Sequence, residues 1–278
     1  MKSRIWTVEA GAIRARRDLL STEEPLEIRL VAGGERQSVA VTMRTPGADF
    51  ELAAGFLLNE GVIAARDEIT SIAYCTDPAV DGTQQYNIVS VELRGAVMPD
   101  LAALQRHFTI SSACGVCGKT SLEALQVRCP MPLPAGPLVA PHLIAALPTT
   151  LRTAQHQFAS TGGIHAAALF DAAGNLLALR EDVGRHNALD KLIGWAFLAG
   201  RLPLHNQIVL VSGRTSYELV QKCVVAGAPI LAAISAPSSL AVQVAQEFGL
   251  TLLGFVRGER FNVYAGIERI QRADKTDF

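Results

Sequence analysis

The chain has 278 residues, 25 Lys and Arg against 26 Asp and Glu, and a formal net charge of −1. That balance excludes bulk electrostatic attraction to nucleic acid or to an anionic membrane, so any anion site must be local. Mean hydropathy is high at +0.25, yet no run of about 18 apolar residues is present to span a bilayer, and the first ten residues lack the apolar core of a signal peptide.

A cytoplasmic protein with no nucleic-acid or membrane partner is therefore expected. Hydrophobic residues make up 49% and aromatics only 6%. The core must be mostly Ala, Val, Leu and Ile, which suits helices packed on a parallel sheet.

Residues 1 to about 100 read as strand-rich. Leu26 to Val31 and Ser38 to Thr45 alternate apolar and polar residues around Gly33-Gly34, a hairpin signature. Pro46-Gly47 ends the second strand. Asp49 is expected to cap a helix running through Phe50 to Glu60, where apolar positions recur at helical spacing. Strands are expected at Ile69 to Tyr74 and Tyr86 to Leu93, on either side of a polar loop at 77 to 82. A short helical stretch at 100 to 106 follows.

Residues 111 to 119, Ser-Ser-Ala-Cys-Gly-Val-Cys-Gly-Lys, leave Cys114 and Cys117 without bulky neighbours on a backbone free to bend. Thr120 with Glu123 has the form of a capping box opening a helix at 121 to 127. The positive end of that helix and the Lys119 ammonium favour thiolate, the nucleophilic form. A structural zinc site would need a second ligand pair, and none is present. Cys75, Cys129 and Cys223 stand apart, and five cysteines, an odd number, suit free thiols in a reducing compartment. A reactive sulfur role is the better reading of the pair, and no metal is expected.

Residues 129 to 137 hold four prolines in nine positions, an extended, stiff segment read as the domain boundary. It separates a strand-rich N-terminal α+β domain (1–128) from a C-terminal α/β domain (138–278). There strands and helices alternate: helix 143 to 159, strands 165 to 170 and 176 to 181 about a turn at 171 to 174, helix 184 to 198, strand 207 to 212, helix 216 to 225, strand 229 to 234, helix 238 to 247, strand 251 to 256 and a last strand near 261 to 264. Ile208 to Val211 and Ile230 to Ile234 are apolar throughout, as parallel strands covered on both faces should be.

In such a sheet, ligands bind beyond the carboxyl ends of the strands. Three strands run there into polar loops: Ser212-Gly213-Arg214-Thr215 with a capping box formed by Thr215 and Glu218, Ser235-Ala-Pro-Ser-Ser239, and Arg257-Gly258-Glu259-Arg260. Alone, each is ordinarily a helix cap or a solvated charge. At equivalent places, their hydroxyls, amides and guanidinium groups make an anion cradle. Gly162, Gly163 and His165 precede one strand, and Asp182 is expected to cap the helix whose first turn carries Arg185, His186 and Asn187. These join the candidate binding residues.

Taken together, Cys114-Gly-Val-Cys-Gly118, Thr161-Gly-Gly-Ile-His-Ala166, Glu181-Asp-Val-Gly-Arg-His-Asn-Ala-Leu-Asp-Lys191, Val211-Ser-Gly-Arg-Thr-Ser216 and Ser235-Ala-Pro-Ser-Ser-Leu-Ala241 resemble the FdhD/NarQ family of sulfur carrier proteins required for formate dehydrogenase activity. The resemblance runs in order from about residue 40 to residue 264. It implies a sulfurtransferase that takes a persulfide from a cysteine desulfurase and passes sulfur to the molybdenum cofactor destined for the formate dehydrogenase apoprotein. By position, Cys114 would be the persulfide cysteine and Cys117 its helper. The family's segment for bis(molybdopterin guanine dinucleotide), with GDP as a mimic, maps onto Phe255, Val256, Arg257, Gly258, Glu259 and Arg260. The C-terminal part is expected to have a cytidine-deaminase-like three-layer αβα fold, and a homodimer is left open.

Rival readings are weighed on the same residues. A zinc deaminase needs metal ligands where this chain has Arg185-His186-Asn187 and Arg214-Thr215-Ser216, with no cysteine. A thioredoxin-type thiol–disulfide oxidoreductase carries its Cys pair after a strand of a βαβ unit, unlike the position here. A non-catalytic guanine-dinucleotide cofactor chaperone would dispense with Cys114.

Overall fold

The computed structural model describes residues 1–77, 79–101, 125, 129 and 132–272. Cys114, Cys117, Lys119, the Thr120–Glu123 box, the helix expected at 121 to 127 and most of the one at 100 to 106 lie outside the described residues.

The chain opens with a hairpin absent from the sequence expectations, β1 (Lys2–Glu9) paired antiparallel with β2 (Ala12–Leu19). It turns at Ala10-Gly11, both at positive φ. Trp6 lies opposite Ala15 and Val8 opposite Ile13, and Trp6, Val8 and Ile13 are exposed. The anticipated hairpin follows: β3 (Glu24–Ala32) and β4 (Glu35–Arg44) turn at Gly33-Gly34, both at positive φ, as a tight two-residue turn requires. With β5 (Ile69–Tyr74) and β6 (Ile88–Leu93) they form a sheet of order β4-β3-β6-β5. Leu26, Ile28 and Leu30, every second residue of β3, are fully buried in one cluster with Leu52 and Leu57 of α1 (Asp49–Glu60).

Asp49 does not cap α1. Ala48 holds the cap position without a side-chain bond, and the Asp49 carboxylate pairs with the buried Arg44 guanidinium at 3.0 Å. Burial makes the ion pair the stronger demand, since an unpaired Arg44 would be costly.

Residues 132–138, without regular structure, lie against the second half of the chain. Buried Arg269 donates to the carbonyls of Pro134 at 2.7 Å and of Ala135, and Val139 bridges Ile270. The helix expected at 143 to 159 is two, α2 (Pro141–Ala154) and α3 (His156–Thr161). Gln155 leaves helical geometry (ψ 86°), and the Glu181 carboxylate accepts the N–H groups of Gln157 and Phe158 at 3.1 and 3.0 Å, restarting the coil.

Next come β7 (His165–Asp171), β8 (Leu176–Asp182), α4 (Arg185–Leu198), β9 (Gln207–Val211), α5 (Tyr217–Val225), β10 (Ile230–Ala233), α6 (Ser239–Glu247), β11 (Thr251–Arg257) and β12 (Arg260–Ala265). This mixed α/β half holds a six-stranded sheet of order β12-β11-β10-β9-β7-β8. Strands β9, β10 and β11 are parallel, whereas β7 runs antiparallel to β9 and to β8, and β12 antiparallel to β11. Alternate residues face opposite sides. Ala167, Leu169, Val209 and Leu231 pack in the cluster containing α4, α5 and α6; Ala168, Phe170, Ile208 and Leu210 pack with Ile144, Leu147 and Leu151 of α2. Coverage of both faces explains why Ile208 to Val211 of β9 and all of β10 are apolar.

Helices α1 and α4 cross at backbone contact. A Cβ at Gly55 would lie 2.0 Å from the Asp190 carbonyl oxygen, and one at Gly194 would lie 1.8 Å from that of Glu51. Only glycine on both sides permits this approach, which joins the small sheet's helix to the large sheet's.

Candidate functional site: the strand-end crevice

The antiparallel pairing decides which ends meet. Because His165 lies opposite Asp182 and Ala167 opposite Val211, the start of β7 shares one sheet edge with the ends of β8, β9, β10 and β11. The candidate residues on the loops of these strands gather there.

At the β8 end the polar groups are buried and mutually bonded. Asp182 is fully buried. One carboxylate oxygen is 2.7 Å from Lys191 Nζ and accepts the Thr45 N–H at 3.1 Å; the other accepts the Gly184 N–H at 2.8 Å. Lys191 also donates to the Thr45 carbonyl at 2.7 Å. Asp182 is thus not the cap of α4, a position held by Gly184 without a side-chain bond. The Asn187 amide donates to the Met43 carbonyl at 2.8 Å, so this residue ties the end of β4 to α4.

In the middle, Ser212 Oγ accepts the Ala166 N–H at 2.9 Å and lies 3.5 Å from His165 Nδ1. A Cβ at Gly213 would meet His165 Nδ1 at 3.4 Å and Arg185 Cδ at 3.6 Å, so the glycine brings this loop close over both side chains. Burial, then the Arg185 and His186 charges, push the His165 pKa below its usual value. Arg185 Nε is buried and has no hydrogen-bond partner among the described residues.

The Thr215–Glu218 capping box does not form. Ser216 takes the cap position of α5 without a side-chain bond. Thr215, 1% exposed, has an Oγ1 with no partner among the described residues, and Glu218 turns to His186 Nε2 at 2.8 Å. The pull of a tertiary partner outweighs a local cap here. His186 Nε2 also lies 3.3 Å from Ser216 Oγ. Neither Ser216 nor Glu218 was among the expected binding residues; Glu218 reads as the far end of a capping box with Thr215 until His186 is brought across.

Two further loops are zipped to this one. The Thr215 N–H donates to the Ala236 carbonyl at 3.1 Å, and the Ser238 N–H to the Thr215 carbonyl at 2.9 Å. The Ser235 carbonyl accepts the Phe255 N–H at 3.2 Å. Phe255 is itself left-handed, at φ 52°, beside a bulge that reaches Arg257; such strain in a non-glycine residue needs support from its surroundings. Arg257 lies opposite Arg260, with its guanidinium 5.5 Å from the Phe255 ring centre. Arg257, Gly258, Glu259 and Arg260 are exposed, as is Arg214. Val256 is fully buried against the α2 side of the sheet, so its side chain faces the core. Gly162, at φ 67°, ends α3, while Gly163 sits near Ser21, whose hydroxyl donates to Thr161 at 2.7 Å.

Among the described cysteines, Cys75 and Cys223 are buried and Cys129 is half-buried. Burial pushes the Cys223 thiol far above its ordinary range, making it inert as a nucleophile.

A model of the FdhD/NarQ family matches residues 21–271. The chain belongs to the FdhD/NarQ family. The matched span leaves out the β1–β2 hairpin and includes the whole crevice. Among relatives, the sulfur carrier protein FdhD of Streptomyces avermitilis is 52% identical over 272 residues, covering 97% of this chain and 95% of that one. That of Mycobacterium tuberculosis is 49% identical over 271 residues, with 96% and 97% covered. A crystal structure from Desulfotalea psychrophila, described as a formate dehydrogenase accessory protein, superposes with a TM-score of 0.74 at 25% identity, covering 98% of this chain and 99% of that one.

Proposed function

We propose that this FdhD/NarQ member is a sulfur carrier, acting as a sulfurtransferase in the maturation of formate dehydrogenase. The observation that carries the reading is the near full-length match to relatives named sulfur carrier protein FdhD, in a span that includes both Cys114-Gly-Val-Cys117 and the strand-end crevice.

In this reading a cysteine desulfurase holds sulfur as a persulfide. The Cys114 thiolate attacks its outer sulfur; a new S–S bond forms on Cys114 while the donor cysteine leaves as thiolate. Cys117 assists at the same stretch. The substrate that receives the sulfur is the bis(molybdopterin guanine dinucleotide) molybdenum cofactor, and its guanylated diphosphates suit the crevice. The uncapped starts of α4 and α5 present backbone N–H groups, and Arg185, Arg214, Arg257 and Arg260 supply positive charge to a chain that has no net excess of it. Helices on both faces of the large sheet fit the cytidine-deaminase-like layering, with the nucleotide at the carboxyl ends of its strands. The cytoplasm, where desulfurase and apoprotein meet, is the proposed location.

Incubation with a desulfurase and cysteine should add one sulfur atom to the peptide carrying Cys114 and Cys117, read by mass spectrometry. Cys114→Ala should abolish formate dehydrogenase maturation in a deletion strain while GDP binding persists. Full complementation by that variant would falsify the persulfide role.

A further inference from the structure

The β1–β2 hairpin takes no part in the crevice, and its two faces differ. On one, Ser3, Ile5, Thr7 and Asp18 are half-buried, so this face lies toward the body of the protein. The cross-strand pairs Lys2–Leu19, Arg4–Arg17, Trp6–Ala15 and Val8–Ile13 form the other, and all of these side chains are exposed. Both acids of the hairpin, Glu9 and Asp18, alternate onto the inner face, where Arg16 pairs with Asp18 at 3.7 Å. The outer face therefore carries three cations, five apolar side chains and no acid.

That face is costly as it stands. Arg4 lies directly opposite Arg17, a like-charge pair that destabilises a hairpin, and its guanidinium leans over the Trp6 ring at 5.6 Å. Among the described residues, Lys2, Arg4 and Arg17 form no ion pair. Each strand has a single neighbour there, and a two-stranded ribbon is marginal in water by itself. A covering surface that is acidic around an apolar centre would relieve the facing arginines and bury Trp6, Val8 and Ile13 together.

The hairpin's place narrows the partner. A groove of about 430 Å³ lies at its root, with walls that include Leu19, Leu20, Ser21, Thr45 and Thr161. Thr45 gives its N–H to Asp182 at the β8 end of the crevice, and Thr161, bonded to Ser21 at 2.7 Å, lies four residues before the start of β7. A protein seated on the outer face and in this groove stands beside the crevice. The sulfur donor has to reach Cys114, whereas the recipient of the cofactor has to reach the crevice. We propose that the outer face of the β1–β2 hairpin, with the groove at its root, is the docking surface for an acidic face of the apoprotein that receives the cofactor. The inference rests on the crevice holding the cofactor, as proposed above, and adds the surface that the recipient binds. Nucleic acid is a poorer match, because one aromatic ring gives no stacking series, and an anionic bilayer would meet Glu9 beside the Ala10-Gly11 turn.

The test measures binding of the full chain to purified formate dehydrogenase apoprotein by biolayer interferometry at low and high salt. Arg4→Glu combined with Arg17→Glu should weaken binding by about tenfold or more at low salt, and by less at high salt, where the attraction is screened. Trp6→Ala should weaken it by about tenfold or more at either salt, as loss of a buried aromatic anchor does. GDP affinity and sulfur uptake from the desulfurase should match wild type in both variants, which shows that the body is still folded. Wild-type affinity for the apoprotein in both variants overturns the proposal, as does the absence of any binding by the wild-type chain. If Trp6→Ala instead loses dimer mass in light scattering, or binding to phosphatidylserine vesicles or a single-stranded oligonucleotide, with apoprotein affinity unchanged, the face belongs to that other occupant and the proposal falls. Hairpin-dependent binding by a wild-type chain that takes up no sulfur, or binds no GDP, upholds the docking surface and brings down the sulfur or the crevice reading instead.

Discussion

At the β8 end of the crevice, Asp182, Lys191 and Asn187 are buried and bonded to the backbone of residues 43–45; at the β11–β12 end, Arg257 and Arg260 are exposed, with Arg257 leaning on the Phe255 ring. Both groups sit at the same edge of one sheet and stand out equally in the sequence. Their surroundings assign them different work. The first set clamps the small sheet onto the large one, and its charges are held where water cannot screen them. The second set is displayed by a strained bulge, free of the core.

Lys191→Met offers the strongest way to break this contrast. It leaves the fully buried Asp182 carboxylate without its counter-ion, a change that costs about 3–5 kcal/mol. Urea unfolding should show it, and a loss below about 1 kcal/mol would mean that Asp182 is not the charge centre of the clamp. Gly194→Ala comes next. The obstructing atom is the Glu51 carbonyl oxygen, a backbone group that cannot swing aside, so a loss of about 3 kcal/mol, the upper range for overpacking, is expected in the same assay.

At the exposed end the two readouts should separate. Replacing Arg257 and Arg260 together by Ala should weaken GDP binding by about 2 kcal/mol or more in calorimetry, with unfolding free energy changed by no more than about 0.5 kcal/mol. Equal losses in both would erase the distinction between the two ends. The smallest effect concerns His165. Its folded pKa is depressed, so the unfolded chain takes up the proton first as pH falls below about 6.5. The neutral ring therefore contributes stability that is present above that pH and declines as pH drops toward the folded value. Melting curves at about pH 7.5 and 5.5 should show a larger decline in wild type than in His165→Gln.

The sheet strands were legible because burial on both faces imposes an apolar run, as in Ile208 to Val211, and because Gly33-Gly34 marks a turn by its chemistry alone. The β1–β2 hairpin was not. Arg14, Arg16 and Arg17 interrupt its second strand and no described core covers Trp6, Val8 or Ile13, so its alternation carried no buried face to read. Caps were the systematic error. Asp49, Asp182 and Glu218 each precede or open a helix, and each was expected in a local role, yet Arg44, Lys191 and His186 claim them. Local pattern cannot rank a cap against a buried partner whose position depends on the fold. The crevice itself was legible as a set of strand-end loops. The convergence of His165 with Ser212 required the antiparallel placement of β7, which no local signal encodes.

The clamp of Arg269 on Pro134 and Ala135, with the Val139–Ile270 bridge beside it, sets an order on the emerging polypeptide. Residues 134 to 139 cannot be seated until Arg269 and Ile270 have left the ribosome. Truncation before residue 269 should therefore release a segment more than a hundred positions upstream.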